Sequence, residues 1–119
     1  MDLLKLFNQA DDALTYAAGD TIFSLGDSAS TAYVVLDGEV EIRLADTTLD
    51  RCGPGGVFGE MALIGDHRRS AAAIAATTCR LAPISERRFL FLVQQTPYFA
   101  LHMMRIMAER VRRKEASLA

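Results

Sequence analysis

Residues Gly55-Gly56-Val57-Phe58-Gly59-Glu60-Met61-Ala62-Leu63-Ile64-Gly65-Asp66-His67-Arg68-Arg69-Ser70-Ala71 carry a pattern that folding alone does not explain. Glycines at 55, 56 and 59 free the backbone where it must turn tightly or approach a ligand, and Glu60-Met61-Ala62-Leu63 is a good helix-forming run. A short helix is therefore expected to start at the glycines. Its first N–H groups and its dipole favour an anion at that end. Arg69 adds a fixed charge whose planar fork of donors suits phosphate oxygens, and Ser70 adds a hydroxyl. The stretch reads as a phosphate cradle.

Glu60 is out of place there, since a carboxylate repels phosphate. An ionised carboxylate only accepts hydrogen bonds, so its natural partner is a hydroxyl on the same ligand, and a ribose carries one close to its phosphate. A compact ring system holding both groups is a cyclic nucleotide. Phe58-Gly59-Glu60-Met61-Ala62-Leu63, followed by Arg69-Ser70-Ala71, resembles the phosphate-binding cassette of the cyclic nucleotide-binding domain family. That family includes catabolite activator proteins, regulatory subunits of cyclic-nucleotide-dependent kinases and cyclic-nucleotide-gated channels.

The resemblance implies a site built from Phe58, Gly59, Glu60, Met61, Ala62, Arg69, Ser70 and Ala71. Gly59, Glu60 and the amides that follow would hold phosphate and ribose, with Glu60 accepting from the 2′-hydroxyl. Arg69 would pair with an exocyclic phosphate oxygen, and Ser70 with Ala71 would complete the pocket. Ile42 and Leu44 are candidates for the apolar floor beneath sugar or base. Cyclic AMP is favoured over cyclic GMP, because serine after the arginine occurs in adenosine-selective bacterial members whereas threonine there is associated with guanine. Arg112, Arg113, Lys114 and Glu115 are the polar residues of the final helix in reach of the base. The competing structural explanation is turn chemistry plus a surface ion pair worth under about 1 kcal/mol.

The chain before the cradle predicts a β-rich frame. Leu14-Thr15-Tyr16-Ala17, Thr21-Ile22-Phe23-Ser24, Ala32-Tyr33-Val34-Val35-Leu36 and Val40-Glu41-Ile42-Arg43-Leu44 are short strand-like runs, with Leu49-Asp50-Arg51-Cys52 as another. Gly19-Asp20, Gly26-Asp27 and Asp37-Gly38 between them suit tight turns. Val40, Ile42 and Leu44 alternate with Glu39, Glu41 and Arg43, which predicts one buried and one wet face. The alanine-rich segment 71–76 favours helix by propensity, but the resemblance makes it and 77–84 two returning strands. The expected fold is α+β: a jelly-roll-like β-roll over about 14–84, with a short N-terminal helix, the cassette helix and C-terminal helices.

At its two ends the chain turns helical. Leucines and Phe7 within residues 2–7 suit one or two helical turns, which Asn8-Gln9-Ala10-Asp11-Asp12 would break or cap. Ser85 is placed to cap an amphipathic helix over 86–94. Pro97 would open a longer helix to about 117, with an apolar stripe of Leu101, Met104, Met107, Ala108 and Val111. That stripe suits core packing or a homodimer.

Composition narrows the function further. With 119 residues the chain is expected to form a single domain, residues 1–119. A net charge of −2 argues against a general nucleic-acid binder. Cys52 and Cys79 form no C-x-x-C pair, and His67 and His102 lie far apart, so no metal site or cofactor is expected. No nucleophile elbow, H-E-x-x-H or P-loop lysine is present, which argues against an enzyme. No apolar run approaches membrane-spanning length, and a cytoplasmic location is expected. The resulting expectation is a sensor that moves its C-terminal helices on binding a cyclic nucleotide and acts through a protein partner or effector. The alternatives are a scaffold or dimerisation module, or the sensor fragment of a longer transcription regulator or channel.

Overall fold

Asp20 and Asp27 set the first two corners of the chain in the same way. Each carboxylate accepts from the backbone N–H three residues earlier, Ala17 at 2.9 Å and Ser24 at 2.9 Å, closing a turn whose preceding glycine is left-handed (φ +89° and +86°). In the computed structural model, residues 2–7, 11–65 and 67–118 are described, the last five of them as helical backbone only. Of the expected break at 8–12, residues 8–10 lie outside the described residues, and Asp11 and Asp12 form a turn. The strands joined by these corners are β1 (Leu14–Tyr16), β2 (Thr21–Phe23) and β3 (Thr31–Asp37).

β4 (Val40–Leu44) and β5 (Thr47–Cys52) form a hairpin, and β6 (Val57–Phe58) leads to the cassette helix α2 (Met61–Ile64). β7 (Ala72–Ala75) and β8 (Cys79–Ser85) then return. The eight strands make two antiparallel four-stranded sheets, ordered β1-β8-β3-β6 and β2-β7-β4-β5. This is the expected α+β roll. The two-residue β6 went unread in the sequence because it is too short to show a period.

Val35, Val40, Phe58, Ala73, Ala75, Cys79 and Leu81 are buried together with Cys52, and Tyr33, Ile22 and Ile42 pack against them. Both cysteines are free thiols in this core. The alanine run resolves as strand for a steric reason. β7 is an inner strand between β2 and β4, and Ala73 and Ala75 are fully buried. The expected alternation along β4 fails at its end: Val40 is buried and Ile42 half-buried, but Leu44 is exposed where the strand runs into the turn at Ala45 (φ +53°). The N-terminal helix α1 (Leu3–Phe7) packs on β3 and buries Leu3 and Phe7.

The chain divides into two units, Asp2–Glu86 with the roll and a helical unit from Arg87 onward. In the latter, α3 (Glu86–Gln95) and α4 (Tyr98–Leu118) are joined through Thr96 and Pro97, and the Phe89 and Phe99 rings meet edge to face at 5.5 Å. The Ala100 N–H donates to the Pro97 carbonyl, as expected of a proline that opens a helix. Among the described side chains of α4, Phe99 and Met103 are buried. The stripe read from the sequence lies on another face: Leu101, Met104, Ala108 and Val111 are exposed and Met107 half-buried.

Candidate functional site

Gly59 has φ +72°, a conformation L side chains rarely adopt, and a Cβ there would lie 2.8 Å from a terminal nitrogen of Arg69. Chain direction and close approach thus both require glycine between β6 and α2. Glu60 follows at the N-cap in helical conformation, without a side-chain capping bond. α2 is a single turn, with the Ala62 and Leu63 amides donating to the Gly59 and Glu60 carbonyls. Of the expected site residues, Phe58, Ala62 and Ala71 are buried, Glu60 is half-buried, and Met61 and Ser70 are exposed.

Arg69 arrives from the other side, and its backbone is fixed first. The Arg69 N–H donates to the Asp27 carbonyl at 2.8 Å, and its own carbonyl accepts from the Gly26 N–H at 2.8 Å. Beside them the His67 carbonyl accepts from the Ala29 N–H, and Ser28 and Arg68 form an antiparallel bridge. The Gly26-Asp27 corner therefore serves the site as well as the fold. Arg68, the rival for the phosphate role, is turned aside and donates to the Gly26 carbonyl at 3.1 Å. His67 is exposed.

Arg69 is only 8% exposed. One terminal nitrogen donates to the Thr31 carbonyl at 2.7 Å and the other to the Gly59 carbonyl at 3.3 Å. The guanidinium carbon lies 3.9 Å from the centroid of the Phe23 ring and 5.9 Å from that of Tyr33. Phe23, Tyr33 and Phe58 form one aromatic cluster, with centroids 5.3 to 6.4 Å apart. Nε is buried and has no hydrogen-bond partner. Burial pushes the guanidinium down from its ordinary pKa, while Tyr33 and Asp27 push it back up.

Among the described residues no carboxylate lies within ion-pair distance of Arg69, although Arg43, Arg51 and Arg80 all have such partners on the surface. A buried cation normally has a counter-charge, because desolvating it alone is costly. Arg69 is held by neutral carbonyls and π-faces, with donors to spare. That arrangement suits an anion supplied from outside the chain.

Sequence reasoning missed Phe23, Tyr33 and Thr31. The two aromatics look like ordinary strand residues, and Thr31 contributes a backbone carbonyl, which no side-chain pattern can announce. Ile42 packs against the core from β4. Arg112 is exposed and lies 3.8 Å from Glu109, while the side chains of Lys114 and Glu115 lie outside the described residues.

Residues 13–96 match the family model described as the cyclic nucleotide-binding domain. The cyclic AMP receptor protein of Thermus thermophilus is 32% identical over 108 residues, which is 87% of this chain and 50% of that protein. A crystal structure of the Thermus thermophilus catabolite activator protein superposes with a TM-score of 0.79 at 29% identity, covering 95% of this chain and 61% of that one. A structure solved in work on a cyclic-GMP-dependent signalling pathway in bacterial phytopathogenesis gives a TM-score of 0.78 at 33% identity, covering 92% and 91%. The chain thus spans about half the length of the Thermus receptor protein it matches.

Proposed function

This chain belongs to the cyclic nucleotide-binding domain family, and from that membership we propose that its cradle binds a cyclic nucleotide, cyclic AMP in preference to cyclic GMP. The observation that carries the reading is Arg69, buried and, among the described residues, with no carboxylate within ion-pair distance, Asp27 acting on it only from further off. An exocyclic phosphate oxygen supplies the counter-charge, using donors left free by the Thr31 and Gly59 carbonyls. Glu60, at the start of α2, accepts from the ribose 2′-hydroxyl. Ser70 and Ala71 close the site, and Ile42 lies under the sugar or base. The role is binding and signalling rather than catalysis, in the cytoplasm and through a protein effector.

Base preference rests on Ser70 and on the cyclic AMP receptor among the relatives. The similarity to a structure from a cyclic-GMP pathway favours the second reading, cyclic GMP. Calorimetric titration with both nucleotides and with 2′-deoxy cyclic AMP decides. Cyclic AMP should bind more tightly than cyclic GMP, and the deoxy analogue more weakly than its parent. Equal affinity for parent and deoxy analogue removes the Glu60 role, and binding of neither nucleotide removes the function.

A ligand shifts a conformational equilibrium only through its different affinities for the two states. In this reading a filled cradle moves α3 and α4. Hydrogen exchange along α4 should then change with nucleotide, and identical protection with and without it would count against the movement.

A further inference from the structure

Phe23 belongs to no motif in the sequence, yet its ring is the nearest aromatic surface to the Arg69 guanidinium, 3.9 Å from centroid to central carbon. We infer that Phe23 is a positioning residue for anion binding: its π-face holds the Arg69 guanidinium in place while leaving to an anion the in-plane N–H groups that Thr31 and Gly59 do not take. The ligand in this inference is the one proposed above, and the inference rests on that reading for its effect on affinity.

The geometry separates the two kinds of contact. A guanidinium donates hydrogen bonds in its own plane, from five N–H groups, and meets an aromatic face through its flat side. In the structure one N–H goes to the Thr31 carbonyl and one to the Gly59 carbonyl, and Nε has no partner. A ring against the flat side therefore consumes none of the donors that a phosphate needs. Without it, the planar head is fixed by two bonds through neighbouring terminal nitrogens and can swing about that edge. Tyr33, at 5.9 Å, is too far to replace it fully. Phe23 itself packs against Tyr33 and Phe58, with centroids at 6.4 and 6.0 Å.

The inference concerns the electrostatics of the ring, so packing must be kept constant. Stepwise fluorinated phenylalanines at position 23 drain the π-face with little change in shape, and Phe23→Tyr and Phe23→Leu bracket the series. Two readouts are taken: calorimetric affinity for cyclic AMP, and the Arg69 Nε–H signal by 15N NMR in the protein without nucleotide. Affinity should fall with each added fluorine. Phe23→Leu should bind about two- to thirty-fold more weakly than wild type, and Phe23→Tyr should match wild type. In parallel, the Arg69 Nε–H should lose its ring-current shift in Phe23→Leu and exchange faster with water as fluorines are added. Affinity that is flat across the fluorine series, or that rises along it, overturns the positioning role. So does an Nε–H signal that Phe23→Leu leaves unmoved. If wild type binds no cyclic nucleotide, the function fails, and the NMR series still decides whether the ring holds the guanidinium.

Discussion

Gly59 and Arg69 are ten residues apart in sequence, yet the Arg69 head excludes a side chain at 59. The left-handed backbone at 59 already disfavours any side chain, and the Arg69 head lies where a Cβ would project. Gly59→Ala should therefore lower stability by about 1–2 kcal/mol, seen as a lower urea midpoint at unchanged slope. It should also displace the guanidinium and weaken nucleotide binding; an unchanged midpoint would contradict the packing described. At this scale the sequence was informative about chemistry but not about support. Glu60, Arg69 and Ser70 announce themselves because charge and hydroxyl stand near glycines. Phe23, Tyr33 and the Thr31 carbonyl reach Arg69 only through the fold, from strands whose pattern gives them no special mark.

Among the elements, β7 shows where local preference yields to tertiary context. Four residues rich in alanine would favour helix in isolation, but between β2 and β4 they leave no room for larger side chains. Ala73→Leu should cost about 1–3 kcal/mol by overpacking, measured as a fall in Tm; a neutral result would mean that the sheets can separate at no cost. The strands and Gly-Asp corners were legible because alternation and turn chemistry act over a few residues. The faces of α4 were less so. Apolar residues occur around much of that helix, and among its described side chains Phe99 and Met103 are buried while most of the more regular stripe is exposed.

For the whole molecule, that exposed stripe bears on assembly. Leu101, Met104 and Val111, spaced by three and seven residues and 38%, 56% and 55% exposed, form an apolar face on which we propose that two copies pair. Met104→Glu should shift sedimentation toward monomer, and a wild-type protein that sediments as a monomer at high concentration would contradict the pairing. Among the described residues no helix is long and apolar enough to cross a membrane. A second whole-molecule property follows from the core thiol. Burial raises the pKa of Cys79, and of Tyr16 beside it, above their unfolded values. Such groups contribute stability fully below the unfolded pKa and lose it as pH rises toward the folded pKa. Tm should then decline from about pH 8.5 upward, less steeply in Cys79→Ala; a wild-type Tm that stays flat to pH 10 would contradict this.

Arg69, as we propose, is a buried cation kept for the phosphate of a cyclic nucleotide. Calorimetric titration of wild type and Arg69→Leu with cyclic AMP, on protein shown by circular dichroism to be folded in both cases, tests it most directly. Wild type should bind, and the variant should lose about 2–5 kcal/mol, a weakening of tenfold to thousands-fold. Equal affinity in the two proteins would remove the phosphate role from Arg69.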